Sequence, residues 1–449
     1  MSFQKYLDIV SGNFRQAIKV EWLNPDETIN FEFTNALYDI NVDLSVNYQN
    51  GSRRTCTLTL NNDRNKFPIN FNNIWFGQKF KLWMGVYIDD KTPYLFPQGV
   101  FYISNPNELY QPLNRTIKIN GVDKWAFLDG TLGGKLHGTY QTSIGNDLLE
   151  ATRTLLKLSR FDNSFDETDD TMNMVDPTPP FISPYFLTKT TYVLTTDTSK
   201  VSGKTYYTYN KTDGKYIEYT GSSVEGKYIK EYVKKCPYTA KVERGKTYAD
   251  VLLEYATILC AHIYYDVNGR LTIEPMTDEA DDITDTNKEI VWHFTVEEKQ
   301  LLGLNTAYNF DKVYNDIIVL GNIVNGYQFK ARVQNQNLMS DTCVEKIGLK
   351  TKDPIEDNQY YSDDQCKELA MYHAKVDTIL QKSGDISSTP LYHLDVNKLV
   401  SLSTPNNNMS KELFLITGFT LNSSNSMSVN VTSVNVLKDF SVVEADVYE

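Results

Sequence analysis

Four things are missing from this 449-residue chain, and each removes a class of function. There is no apolar run near the roughly 20 residues that cross a bilayer as a helix, and the N-terminus MSFQKYLDIVSGNFRQ has no long apolar core behind a basic start, so neither a membrane-resident nor a Sec-exported life is expected. The five cysteines (Cys56, Cys236, Cys260, Cys343, Cys366) never stand in CxxC spacing and are odd in number, which points to reduced thiols made in a cytoplasm and away from a thiolate metal site. The five histidines (His137, His262, His293, His373, His393) form neither HExxH nor HxH. There is no GxSxG elbow, Walker loop or GxGxxG, so elbow-type serine catalysis and phosphate cradling have no motif behind them.

Excess basic charge is missing too. The formal net charge of -13 argues against a surface that wraps nucleic acid, because phosphate neutralisation needs dense Lys and Arg. An acidic wall remains compatible with a conduit through which DNA slides without being gripped. Hydrophobic residues at 41% and charged residues at 22% describe a globular chain, long enough for two to four domains.

What is present is mostly sheet. Residues 1–138 read as short strands between polar turns: Ile18–Leu23, Phe31–Phe33, Val42–Val46, Thr55–Leu60, Lys79–Tyr87, Gly99–Ser104 and Arg115–Asn120. Thr55, Thr57 and Thr59 alternate with Cys56, Leu58 and Leu60, as do Phe80, Leu82, Met84 and Val86 with their neighbours, so each sheet buries one face. Such a block implies a barrel or a sandwich. The glycines of Gly130–Gly134 read as a turn leaving it.

A helical stripe follows in 142–158 (Ile144, Leu148, Ala151, Leu155), with Ser143 as the expected N-cap. A second helix is expected over Tyr248–Ile263, carrying His262, before an Asn268-Gly269 hairpin and the strand Arg270–Glu274. Between the helices, Asp162, Asp166, Glu167, Asp169, Asp170 and Asp176 offer carboxylates to a hard cation, but without EF-hand spacing and beside Pro177, Pro179 and Pro180 they read as a solvated linker.

Residues 183–236 look like an insertion rich in Tyr, Thr, Lys and Gly, with turns at Ser202-Gly203, Asp213-Gly214 and Glu225-Gly226. Tyr206, Tyr207, Tyr216 and Tyr219 are its candidate interaction surface, toward a sugar or a neighbouring subunit; the alternative is that they form the module's own small core. From residue 300 strands return (Asp316–Gly321, Gly326–Val333, Leu413–Leu421, Met427–Asn435). One helix interrupts them, with the capping box Ser362–Gln365 and the stripe Leu369, Ala370, His373, Val376 and Leu380. Trp75, Trp83 and Trp125 are candidates for an interface or for the core.

The order of these pieces resembles the baseplate hub family of tailed phages, contractile injection machines and type VI secretion spikes. The resemblance is carried by Gly99–Ser104 with Gly121–Lys124, by the Tyr264–Glu274 hairpin, and by Asp395–Leu402 after the long helix. It implies an α+β, β-dominated fold: two tail-tube-like β-barrel domains (1–138 and 300–449) flanking a small α+β domain (139–182 and 237–299) that carries an inserted β module (183–236). It further implies a homotrimeric, non-enzymatic ring that joins a sixfold tube to a threefold tip and lines a DNA channel, in the virion. Catalytic, cofactor and metal residues are none. Expected partners are a distal tail or tail tube protein on one side and a tail spike, fibre or tape-measure protein on the other. The chain stops at Glu449, so lytic activity is expected on another chain. The rival readings are a hexameric distal tail ring and a receptor- or glycan-binding tail protein.

Overall fold

A computed structural model of the protein describes residues 3–70, 73–89, 91–111, 114–159, 179–195, 197–210, 215–275, 289–295, 300–311, 313–324, 326–377, 381–404, 409–423, 426–433 and 441–443. The acidic run Asp162–Asp176, the Asp213-Gly214 turn and Leu380 lie outside them.

Alternation governs the first block. In Ile40–Asn47 the side chains of Ile40, Val42, Leu44 and Val46 are buried and those between them are not; Arg54–Asn61 repeats the pattern, and in Lys79–Tyr87 Phe80, Leu82, Met84 and Val86 are buried while Lys81, Trp83 and Tyr87 are less so. Each such side chain contributes about 1.5–3 kcal/mol by leaving water, which fixes the register, since a one-residue slip would turn all of them outward.

The first and last parts of the chain then build one 14-stranded sheet. From one edge its order is Ile29–Thr34, Gln16–Leu23, Lys79–Tyr87, Pro93–Ile103, Asn114–Asp123, Arg54–Asn61, Ile40–Asn47, Met409–Asn422, Met427–Ser433, Gln381–Ser388 and Leu301–Asn309. Met409–Asn422 is the hinge of this arrangement. Its first half pairs with Leu399–Thr404, and its last five residues pair with Asp43–Asn47. One apolar cluster is shared by the two parts of the sheet, mixing Leu58, Phe80 and Phe101 with Trp292, Ile386, Phe414 and Val429. The fold is therefore α+β and β-dominated, as expected. Among the described residues neither β block closes into a barrel of its own.

The middle of the chain forms a second core around two helices. Leu148–Leu158 begins six residues later than the sequence suggested. Asp147, not Ser143, caps it, accepting from the amides of Leu149 (3.0 Å) and Glu150 (3.4 Å), and Ile144 is 60% exposed. Tyr248–Leu259 starts with a Thr247/Asp250 capping box and ends at Cys260, whose φ of 49° is left-handed. The expected helix thus stops short of His262. Its last residues belong to the strand Ala261–Tyr265, where β-branched and aromatic side chains suit a sheet. That strand pairs through the Asn268-Gly269 turn with Leu271–Pro275. Gly269 has φ 72°, and a Cβ there would stand 2.7 Å from Val100 Cγ2.

Tyr140–Thr142 and Ala240–Val242 pair beside these helices, and two four-stranded sheets stand apart among the described residues. Ile355–Glu356, Asp316–Val324, Tyr327–Gln334 and Ser441–Val443 form one, covered by the helix Asp363–Asp377. Thr190–Leu194, Tyr228–Tyr232, Tyr206–Asn210 and Lys215–Glu218 form the other, which is the inserted module.

Candidate functional site

The four tyrosines proposed as a surface do not share one. Pleating sends Tyr206 and Tyr207 to opposite faces. Tyr206 is 1% exposed; its hydroxyl donates to Asp197 Oδ2 (2.8 Å) and accepts from the Val201 amide (3.1 Å). Tyr207 meets Tyr192 edge-on at 5.0 Å, and Tyr216 stacks on that same ring at 4.0 Å and 12°. Tyr209 and Tyr228 close around Tyr216 at 5.1 and 5.0 Å. The Tyr216 hydroxyl is buried with no hydrogen-bond partner among the described residues, and burial, with Asp364 and Asp363 nearby, pushes its pKa up. Tyr219 stands apart, its ring beneath Lys227 Nζ at 4.6 Å.

This aromatic cluster seats the module on the first turn of Asp363–Asp377. Asp364 Oδ2 accepts from the Tyr192 amide (3.3 Å) and Thr191 Oγ1 (3.4 Å); Asp363 accepts from Tyr327 Oη (2.9 Å) and the Lys330 amide (3.0 Å); Lys189 pairs with Glu368 at 3.0 Å. Burial raises both aspartate pKa values, although the helix N-terminus favours their charged form. Gln365 completes the joint. Its amide donates to Ser362 Oγ (3.0 Å), its Oε1 accepts from the Tyr361 amide (3.0 Å), and its Nε2 donates to the Ile258 carbonyl (3.1 Å) at the end of the second helix. A cleft of about 670 Å³ remains between module, helix and small sheet, walled by Val193, Ile229, Val233, Ile258, Phe329 and Tyr361. Among the described residues its lining has no histidine, and the thiols of Cys236 and Cys260 that border it have pKa values raised by burial, the opposite of an activated nucleophile.

The three segments that carried the family resemblance converge elsewhere, on Arg53 and Arg54. Arg54, 2% exposed, donates through Nη2 to both oxygens of Asp395 (2.6 and 2.7 Å). Asp123 accepts from the amides of Arg53 (2.7 Å), Arg54 (3.0 Å) and Trp125 (3.2 Å). Burial lifts its carboxyl to about 6 against those amides, which pull the other way. The Arg53 guanidinium lies 3.3 Å from the centre of the Tyr264 ring. Asn397 Nδ2 donates to Glu274 Oε1 (3.3 Å), and Tyr48 Oη meets His262 Nε2 at 2.5 Å. The junction is a fastening of three chain regions. Sequence reading missed its centre; paired arginines opening a strand in an acidic chain were the available signal. Of the tryptophans, Trp125 is core, Trp83 donates to Glu21 (2.7 Å), and Trp75 is 46% exposed.

The sequence matches no protein-family model and no curated protein. The fold does have relatives. It superposes on a 43 kDa tail protein of prophage MuSo2 from Shewanella oneidensis with TM-score 0.51 and 11% identity, over 94% of this chain and 98% of that one. A tail protein from Neisseria meningitidis MC58 gives TM-score 0.52 at 10% identity, over 94% and 97%. The fold is that of phage tail proteins.

Proposed function

We propose that the chain is a non-enzymatic structural protein of a phage tail tip or baseplate, a hub whose copies form a homotrimeric ring around a DNA channel. The observation that carries this reading is the near-complete overlap of the fold with two tail proteins, over 94% of this chain in both cases. In this reading the two β blocks occupy tube-like positions, so three copies present six of them to a sixfold tube. The neighbours are a distal tail or tube protein and a spike, fibre or tape-measure protein, and the place is the virion. The acidic balance of the chain suits a wall past which DNA slides. The inserted module is a passenger on this scaffold, seated on Asp363–Asp377.

The test is the solution mass by light scattering across a concentration series. A species of three chain masses supports the hub. Six chain masses favour the distal ring, and a chain that stays monomeric at every concentration counts against a self-assembling ring.

A further inference from the structure

Asn315 and Asn335 are fully buried, and both organise one loop. Asn315 Nδ2 donates to the carbonyls of Thr342 (3.1 Å) and Gly348 (2.8 Å), and its Oδ1 accepts from the Lys350 amide (2.8 Å). Asn335 Nδ2 donates to Ser340 Oγ (2.9 Å), its Oδ1 accepts from the Asn337 amide (3.3 Å), and its carbonyl accepts from the Val344 amide (3.0 Å). Residues 335–350 are thereby fixed from within, and each such bond removes freedom that binding would otherwise have to remove.

What this loop shows to solvent is apolar. Leu338 is 60% exposed, Leu349 52% and Ile347 40%; Met339, at 85%, is the most exposed large apolar side chain among the described residues. Asp341 and Lys346 form an exposed ion pair on the same loop (3.3 Å). Single apolar residues on a surface need no explanation, but four on one internally bonded loop mark a contact surface.

The cleft beside Asp363–Asp377 is its complement. At about 670 Å³ it lies within the range of built binding sites, and its walls are largely apolar. Lys235 and Glu231 also line it, neither within ion-pair distance of an opposite charge among the described residues, so the cleft matches the loop in charge as well. Loop and cleft lie at opposite ends of one hairpin. Asp316 pairs with Gln334 where the loop begins, whereas Val324 and Phe329 line the cleft at the turn end. The stretch from Phe329 to Asn335 spans roughly 20 Å as extended strand. A chain therefore does not seat its loop in its own cleft.

We propose that Leu338 and Met339 of one copy of this chain seat in the cleft of the next, with Asp341 and Lys346 meeting Lys235 and Glu231. Loop and cleft are different surfaces, so the contact is heterologous and runs head to tail; it closes into a ring where the rotation between copies allows. The inserted module then does more than ride on the scaffold, because Val193 and Ile229 are its share of the socket. The inference rests on the ring reading above and adds a surface to it.

Met339→Asp spoils the loop. Thr239→Trp, at an exposed residue of the lining, obstructs the cleft. Both are made in the full chain and confirmed as folded by their melting curves. Light scattering of either variant alone should show assembly weakened at least about tenfold. At a concentration where the parent assembles and neither variant does, an equimolar mixture should stop at dimers, since one intact loop then meets one intact cleft and the remaining pair is spoiled. Met339→Leu, which keeps an apolar tip, should assemble like the parent. A parent trimer untouched by both variants overturns the socket and leaves the ring standing. Sensitivity to Met339→Asp alone overturns the cleft as the seat of the loop. Parent filaments that both variants abolish support the contact and overturn the ring. A parent that stays monomeric at every concentration overturns both readings.

Discussion

Along the central sheet the inward side chains of Ile40–Asn47 and Lys79–Tyr87 are Ile, Val, Leu, Phe and Met, none more than 5% exposed. The inserted module instead turns Tyr192, Tyr207, Tyr209 and Tyr216 toward one another and leaves Tyr209 42% exposed. The difference follows from size. A sheet of 14 strands encloses enough volume to close-pack aliphatic groups, whereas four short strands cannot. Broad rings cover more area per residue, and the module borrows the rest of its stability from carboxylates on another element, Asp364 and Glu368.

If that contrast is right, damage should spread differently in the two regions. Phe80→Ala opens a cavity in the shared core and is expected to lower global stability by about 3–5 kcal/mol, read as a drop in the denaturation midpoint that takes β signal from the whole molecule. His393 gives the core an acid sensitivity. It sits among Phe3, Tyr6, Phe96 and Trp292, neither ring nitrogen has a hydrogen-bond partner among the described residues, and burial holds its pKa down to about 4. A histidine whose folded pKa lies below the unfolded 6.5 contributes stability that is present above 6.5 and lost as pH falls toward 4, at most roughly 3 kcal/mol. Asp123 works in the opposite sense over part of that window. Its raised pKa favours the folded state at low pH, and that benefit disappears as pH rises through about 6. His393→Phe should therefore flatten the acid limb of stability against pH, and a limb unchanged from the parent protein would remove His393 as its cause.

Tyr206→Ala should cost about 2–3 kcal/mol, but locally. Hydrogen exchange is expected to quicken in Thr190–Tyr232 while Lys79–Tyr87 stays protected; equal quickening in both would erase the distinction between the regions. Smallest of all, Tyr216→Phe deletes a buried hydroxyl that makes no hydrogen bond, so the melting temperature should stay level or rise slightly. A clear loss there would mean the hydroxyl has work that the stacked geometry does not reveal.

Much of the sheet was legible because its signal is local. Thr55–Leu60 and Lys79–Tyr87 alternate within one strand, and the alternation is the burial pattern itself. Helix ends were legible less often. Asp147 and Ser143 are both competent caps, and which one serves depends on where the chain at 143–146 is held, in this case by bonds from the Gly145 amide to the Cys236 carbonyl and from the Cys236 amide to the Asn146 carbonyl. Cys260 took the left-handed position usually given to glycine, so nothing announced the end of that helix before His262. The junction was the hardest to read: Arg54 and Asp395 are 341 residues apart, and no period or motif connects them. The tyrosines were visible as a group, but strand pleating, which a list of residues does not display, decided that Tyr206 goes inside while Tyr207 and Tyr216 meet on Tyr192.

The pairing of Asp43–Asn47 with Gly418–Asn422 also sets an order of events in time. A ribosome delivers Ile40–Asn47 early and its partner strand almost four hundred residues later. During synthesis the early strands can zip together up to that point, and the two-helix core between them has all of its residues, yet the sheet must wait with Ile40–Asn47 as a bare margin. Closing it spans nearly the whole chain, the kind of contact that makes folding slow and leaves intermediates prone to sticking. A message truncated before codon 409 would yield a protein that is mostly folded and permanently unfinished, with that margin open to whatever strand arrives first.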